Sequence, residues 1–386
     1  MISGSKIEVF IDRLSVGGRG VARHEGLVVF IPNAAPHDKL LVQLIRVKKN
    51  FAEAEIVRIV EPSPHRVTPP CPVAGVCGGC TWQQVEYSEQ LRQKRELVRE
   101  SLRKFSGFDV TRDDLVQPVS PSPKPFRYRN RVQFHFEKGR LGFHKKSSHE
   151  LVDISDCPIT EEPIAKQIPE LKKSIGVTGS GRFEMFISQD GRVSRRNATA
   201  VDDDHGGLAF SQVNSAQNEI LVRETVDLFV LRLGSQFSGT IYDFYCGNGN
   251  FTFPLVKAFP GARSIGVELS SDSIDSAREK TAAAGEESRM QWHVQDVGTY
   301  LTLTKLNDSD VVLLDPPRIG CAPEVVAAIA ASPVKSVFYV SCNPVTLGRD
   351  LRALRDAGFD LSEVRPFDMF PQTDHVETVA VLTRRL

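Results

Sequence analysis

Short apolar or alternating runs, Ile7 to Ile11, Leu27 to Ile31, Lys39 to Ile45 and Ala52 to Val60, are divided by Gly17, Gly18, Gly20, Pro32 and Pro36. Strands of this length with glycine turns predict a small β-barrel of the OB type; an edge sheet of the next domain is the alternative. Pro62, Pro64, Pro69 and Pro70 punctuate the end of that unit. The period then changes: Val85, Leu91, Leu97, Val98 and Leu102 recur at helical spacing among charges, which predicts a helix from about Val85 to Phe105. Beyond Ile241, strands at Thr240 to Phe244, Ser264 to Glu268, Val311 to Leu314 and Val334 to Val340 alternate with helices near Ser273 to Ala284 and Pro323 to Ala330. A parallel α/β sheet is the expected architecture. A final strand is expected at Val379 to Leu382, and Asp202 to Asp204 reads as a solvated loop.

Length agrees with three units, since 386 residues exceed the roughly 150 typical of one domain. We place them at 1–62, 63–205 and 206–386. Lysine plus arginine equal aspartate plus glutamate at 48 each, with 41% hydrophobic and 25% charged residues. That balance excludes wholesale disorder and a general attraction to polyanions, so any nucleic-acid contact has to be local. One segment qualifies. Between Lys124 and Lys146, eight basic residues (Lys124, Arg127, Arg129, Arg131, Lys138, Arg140, Lys145, Lys146) face one acid, Glu137. Phe126, Tyr128, Phe134, Phe136 and Phe143 interleave with them, the pairing of cations and aromatic faces that suits unstacked RNA bases. The competing reading is a solvated sheet face over a core made of the same aromatics. No apolar run approaches the ~18 residues of a membrane span, and the start lacks a cationic stretch before an apolar block. A cytoplasmic protein is the expectation.

The first α/β strand runs into Asp243-Phe-Tyr-Cys-Gly-Asn-Gly-Asn-Phe251. Gly247 and Gly249 would let the backbone approach a ligand at the carboxyl end of the strand. Phe251 replaces the third glycine of a dinucleotide fingerprint and no Gly-Lys-Ser/Thr cradle follows, which argues against NAD and ATP. Glu268, about twenty residues on, can accept both ribose hydroxyls. An adenosine ligand without phosphate, S-adenosyl-L-methionine, fits this pattern.

Val311-Val-Leu-Leu-Asp-Pro-Pro-Arg318 sets Asp315 at a strand end before two stiff prolines. A related loop holds an exocyclic amine in amino-methyltransferases, so N-methylation is a rival. Val337-Phe-Tyr-Val-Ser-Cys-Asn-Pro344 ends another strand in a thiol, Cys342, on the same rim, and Met369-Phe-Pro-Gln-Thr-Asp-His-Val-Glu-Thr378 supplies His375 and Glu377. A thiol plus a separate base is what methylation of a uracil C5 requires: sulfur adds to C6, C5 attacks the methyl group, and a base removes the C5 proton. A buried inert cysteine and a surface glutamate are the alternatives for these two residues taken singly.

Cys71, Cys77 and Cys80 crowd together and Cys157 precedes a proline; Cys246, Cys321 and Cys342 stand apart. In a reducing compartment the crowded group indicates metal, either zinc or a 4Fe-4S cluster.

Taken together, Tyr339-Val-Ser-Cys-Asn-Pro-Val-Thr-Leu347, Phe370-Pro-Gln-Thr-Asp-His-Val-Glu377 and Leu314-Asp-Pro-Pro-Arg318 closely resemble the RNA uracil-5-methyltransferase family over nearly the whole chain. The resemblance implies a Rossmann-like class I methyltransferase domain, with Cys342 as nucleophile and Glu377 as proton-abstracting base. It also implies S-adenosyl-L-methionine contacts at Gln212, Tyr245, Asn250, Glu268, Asp296 and Asp315. Similarity to the cluster-containing branch favours 4Fe-4S over zinc on Cys71, Cys77, Cys80 and Cys157, in a small α+β domain where the cluster is structural. The N-terminal barrel resembles a TRAM domain, an RNA-binding module, through Gly17-Gly-Arg-Gly-Val-Ala22. Structured RNA is the implied partner, 23S ribosomal RNA ahead of transfer RNA, for a monomeric enzyme. An amino-methyltransferase with an idle Cys342 and a non-catalytic RNA-binding factor are the other classes.

Overall fold

The computed structural model describes residues 2–176, 178–188, 190–197 and 212–385. The expected loop at Asp202 to Asp204 and the 205/206 boundary lie outside the described residues. Strands β1 (Lys6–Phe10), β2 (Arg13–Leu14), β3 (Gly20–His24), β4 (Leu27–Ile31), β5 (Lys39–Val47) and β6 (Phe51–Glu61) form one sheet in the order β1-β5-β6-β4-β3-β2. Only β4 and β6 pair in parallel. Alternate residues of the strands, among them Val9, Val29, Ile31, Leu40, Val42 and Leu44, turn inward to a core of their own.

A loop carrying Cys71, Cys77 and Cys80 leads to α1 (Tyr87–Phe105). The second sheet contains β7 (Arg131–Glu137), β8 (Arg140–His144), β9 (Leu151–Asp153), β10 (Ser180–Ile187) and β11 (Val193–Asn197), ordered β11-β10-β7-β8-β9, with the short helices α2 (Glu162–Ala165) and α3 (Ile168–Ser174) against it. Its interior takes up two of the five aromatics of the basic segment, Tyr128 and Phe134, while Phe126, Phe136 and Phe143 are half-buried. Phe134 is fully buried, and its ring packs 5.4 Å from Phe143 and 5.8 Å from Phe183. Tyr128 is buried as well. Five of the eight cations, Arg127, Arg131, Lys138, Arg140 and Lys145, pair with acids. The aromatics alternate with the cations because one face of a strand is core and the other is water.

The remaining residues form the α/β unit: α4 (Ser215–Leu233), β12 (Thr240–Phe244), α5 (Thr252–Ala258), β13 (Arg263–Glu268), α6 (Ser271–Ala284), β14 (Met290–Val294), α7 (Val297–Leu303), β15 (Val311–Leu314), α8 (Pro323–Ala331), β16 (Ser336–Ser341), α9 (Pro344–Asp356), β17 (Phe359–Phe367) and β18 (Glu377–Arg384). Sheet order is β14-β13-β12-β15-β16-β18-β17. The expectation of a parallel sheet needs one correction: β18 inserts antiparallel between β16 and β17. Consequently Ser341 at the carboxyl end of β16 lies opposite Thr378 near the start of β18. The residues that follow β16 and open β18 therefore meet on one edge, at the carboxyl ends where open α/β sheets bind ligands. Among the described residues no helix is long and apolar enough to cross a membrane.

Candidate active site

The rim is built from the ends of adjacent strands. After β12 the chain turns through Tyr245 at φ +65°, Gly247 at φ +54° and Gly249 at φ +88°. A tyrosine in the left-handed region is strained, and it is held there by the Tyr245 amide donating to the Val267 carbonyl at 2.9 Å. A Cβ added at Gly247 would meet nothing within 4 Å, whereas at Gly249 it would strike Phe253 and Trp292. The first glycine opens onto free space and the second packs the loop onto the domain. Glu268 ends β13 and its carboxylate accepts from the Gly247 amide at 3.2 Å and the Ser270 amide at 2.9 Å, so its orientation is set by backbone donors. Asp296 caps α7 by accepting from the Thr299 amide at 2.9 Å, and its charge reaches Tyr245.

Asp315 follows β15, where burial first and Glu268 second push its carboxyl up to about 7. Asp243, behind the loop, is likewise pushed to about 7 by burial, with Asp315 and Glu268 adding to the effect, and its Oδ1 has no partner. Glu377 is buried, and burial with Asp315 raises its carboxyl well above the usual carboxylate range. Cys342 is half-buried on the turn between β16 and α9; burial, then Glu377 and Asp315, push its thiol up to about 12, against a lowering effect from Arg318. Asn343 caps α9 and its side-chain amide donates to the Arg318 carbonyl at 3.1 Å, fastening the two turns together. A cleft with this many carboxyls and one thiol suits a cationic ligand such as a sulfonium.

The six expected cofactor positions do not all converge to the same degree. Tyr245, Glu268, Asp296 and Asp315 share this rim through the contacts and charge couplings above. The Asn250 amide is instead engaged with the Asn218 amide of α4 at 2.9 and 3.1 Å. Gln212 is half-buried two residues before the α4 cap Asn214, where its carbonyl accepts from Asn130 at 3.1 Å; Phe210 and Ser211 of its motif lie outside the described residues. Arg318, beside the thiol, and fully buried Lys94 complete the surroundings. Lys94 has one sequence signal, its place on the helical stripe with Gln90, Leu97 and Ser101.

Cys71, Cys77, Cys80 and Cys157 line one cavity, together with Val73, Val132, Phe143, Ile154 and Arg129. The Gly78 amide donates to the His144 carbonyl at 3.0 Å, laying the three-cysteine loop on β8. Burial raises the thiols of Cys71 and Cys77 and pushes Cys80 up to about 12; neighbouring thiols of the set add to each. The free space is about 60 Å³, several times the roughly 10–15 Å³ that admits one water. Among the described residues no three His, Cys, Asp or Glu side chains are arranged to close on a single metal ion.

Fold and rim together define an α/β methyltransferase whose rim also carries a thiol and a buried carboxyl, preceded by a small β domain. Residues 184–385 match the tRNA (uracil-5-)-methyltransferase family and residues 3–57 the TRAM domain. An uncharacterised RNA methyltransferase of Bdellovibrio bacteriovorus is 44% identical over 98% of this chain and 95% of its own length. Another from Gloeobacter violaceus is 31% identical over 100% and 98%. The chain belongs to the RNA uracil-5-methyltransferase family. Its fold is that of the Pyrococcus abyssi tRNA (uracil-54, C5)-methyltransferase, crystallised with S-adenosyl-L-homocysteine, at TM-score 0.72 and 24% identity over 98% of this chain and 100% of that one.

Proposed function

We propose that this enzyme methylates C5 of a uridine in structured RNA through a transient bond between Cys342 and C6. The observation that carries the reading is the meeting of a half-buried thiol, Cys342, with a buried carboxyl, Glu377, across the β16/β18 edge. The half-buried Cys342 thiol loses its proton to solvent as it attacks; sulfur bonds to C6 and the C5–C6 π electrons move toward the ring carbonyl. C5 then bonds to the methyl carbon that S-adenosyl-L-methionine would supply when bound, the methyl–sulfur bond breaking with its electron pair left on the uncharged thioether. Glu377 takes the proton from C5, the electron pair reforms the C5–C6 bond, and the sulfur leaves as thiolate. Asp315 and Glu268 present carboxyls on the donor side, and Gly247 leaves the backbone room for it. Gln212 and Asn250 complete the proposed contact set from the α4 side. A target inside a helix has to be flipped into this cleft.

The four cysteines would hold a 4Fe-4S cluster. Thiolate ligation supplies folding energy there, and the reading is supported by the four thiols lining one cavity. For the RNA we take 23S ribosomal RNA, on the combination of a TRAM barrel with the four-cysteine loop. Transfer RNA is the second reading, favoured by the description of the matching family. Mapping 5-methyluridine in ribosomal and transfer RNA from cells with and without the gene decides between them.

RNA carrying 5-fluorouridine tests the chemistry, because fluorine at C5 blocks the last proton removal. The wild-type enzyme is expected to form a denaturant-stable adduct with it, and Cys342→Ala to form none. Adduct in the Cys342→Ala variant, or turnover of a Cys342→Ser variant at the wild-type rate, would refute the mechanism.

A further inference from the structure

The segment that joins β17 to β18 and leads into Glu377 takes its bonds around Gln372 and Asp374 from the N-terminal half of the chain, while the Asn214 amide holds the Met369 carbonyl at 3.2 Å, Arg318 meets His375 at 3.5 Å and Glu377 itself pairs with Phe367 of β17. Gln372, at φ +69°, is its hub. The Gln372 carbonyl accepts from the Thr81 and Trp82 amides, each at 3.0 Å, directly after Cys80. The Gln372 amide donates to Gln90 Oε1 at 3.0 Å, and Gln90 Nε2 donates back to Gln372 Oε1 at 2.9 Å. Two residues on, Asp374 Oδ1 accepts from the Thr81 hydroxyl at 3.1 Å and Oδ2 from the Gly17 amide at 2.7 Å. Gly17 lies in the tight β2–β3 turn of the TRAM sheet, and Lys146 donates to its carbonyl. Tyr128 donates to the Pro371 carbonyl at 3.1 Å. By contrast, Cys342 is held from within the α/β unit, by β16, the Asn343 cap and the Arg318 turn.

We propose that Gln372 and Asp374 are positioning residues, forming a latch through which the cysteine loop and the TRAM tip set the place of Glu377. Attack by sulfur and removal of the C5 proton are therefore governed by different parts of the protein. An unusual backbone angle persists only where its surroundings over-determine it, and the five backbone and side-chain bonds to Gln372, the fifth from its Nε2 to the Pro125 carbonyl at 3.3 Å, do this. Gln372→Ala removes the two side-chain bonds, to Gln90 and Pro125, and leaves the main-chain ones; a segment so loosened can shift, and displacement of a proton acceptor on the order of 1 Å costs about 100-fold in its step. The contacts also give the cysteine loop a route to the active site that needs no redox step.

This inference rests on the adduct mechanism, and the experiment separates the two. Gln372→Ala and Asp374→Ala are compared with wild type, with Asp374→Asn, which keeps one acceptor oxygen, as the conservative variant. With ordinary uridine RNA, both alanine variants are expected to accumulate denaturant-stable adduct while kcat falls about 10- to 100-fold and KM for RNA stays within about twofold. Asp374→Asn should regain part of the loss, and adduct formation with 5-fluorouridine RNA should keep its wild-type rate in all of them. If 5-fluorouridine adduct formation falls in step with kcat, or kcat is unchanged, the latch is overturned while the mechanism stands. If wild type forms no adduct with 5-fluorouridine RNA, the mechanism fails and takes the latch with it.

Discussion

Replacing Lys94 by methionine tests how the base-bearing segment is anchored. The Lys94 ammonium and the Asp368 carboxylate are both fully buried, with Nζ 2.5 Å from Oδ1 and 3.0 Å from the Phe370 carbonyl. Burial lowers the pKa of the ammonium while Asp368 opposes that fall. The Tyr87 hydroxyl lies against the same carboxylate, and burial first, then this carboxylate, hold the phenol above its usual range. Methionine matches the lysine stem, so packing survives and the loss is electrostatic: an uncompensated buried carboxylate and an unmet carbonyl. Breaking one side of a buried pair costs about 3–5 kcal/mol. At roughly 2–4 °C per kcal/mol for a cooperative unit of this size, the unfolding midpoint should fall by about 6–20 °C. Calorimetry of wild type, Lys94→Met, Asp368→Leu and the double variant completes the cycle. The double variant should recover at least half of the loss, because removing both charges abolishes the desolvation penalty. A single-variant cost below about 1 kcal/mol, the range of exposed pairs, or a double variant no better than Lys94→Met, would refute the account.

Further outcomes follow from the same geometry. The Cys342 thiol is raised to about 12, so its thiolate fraction grows with pH, and the initial rate of 5-fluorouridine adduct formation should rise across neutral to mildly alkaline pH; a flat profile would show that thiolate supply does not limit attack. Asp315 titrates near 7 in the fold against 3.8 ordinarily. Between those values the folded state holds an extra proton, so the penalty of this buried carboxyl is full above about 7 and is relieved as pH falls from 7 toward 3.8. Asp315→Asn should raise the unfolding midpoint more at pH 8 than at pH 5 and abolish methylation, and equal gains at both values would contradict the assignment. Anaerobically purified protein should be brown, with iron and absorbance near ~400 nm, both lost in Cys157→Ser; a colourless, zinc-loaded wild type would overturn the cluster.

Much of this protein was legible before any tertiary structure. Periodicity located β12, β15 and α1 to within two residues, because buried strands and amphipathic helices must repeat their apolar positions whatever they pack against. Cys342, the Asp-Pro-Pro turn and Glu377 were legible as members of short motifs, since each lies at a local strand end. Sequence left two readings open for the aromatic and basic residues from Lys124 to Lys146, and packing placed Tyr128 and Phe134 in the core: Phe134 faces Phe183 of β10, a partner almost fifty positions away. Only topology placed β18 antiparallel beside β16, which brings Glu377 to the rim that carries Cys342. Only the tertiary contacts of Gln372, Asp374 and Lys94 tie that rim to the cysteine loop, the TRAM sheet and α1. Local chemistry is written in neighbouring residues, whereas hydrogen bonds between residues 280 or more positions apart leave no periodic trace.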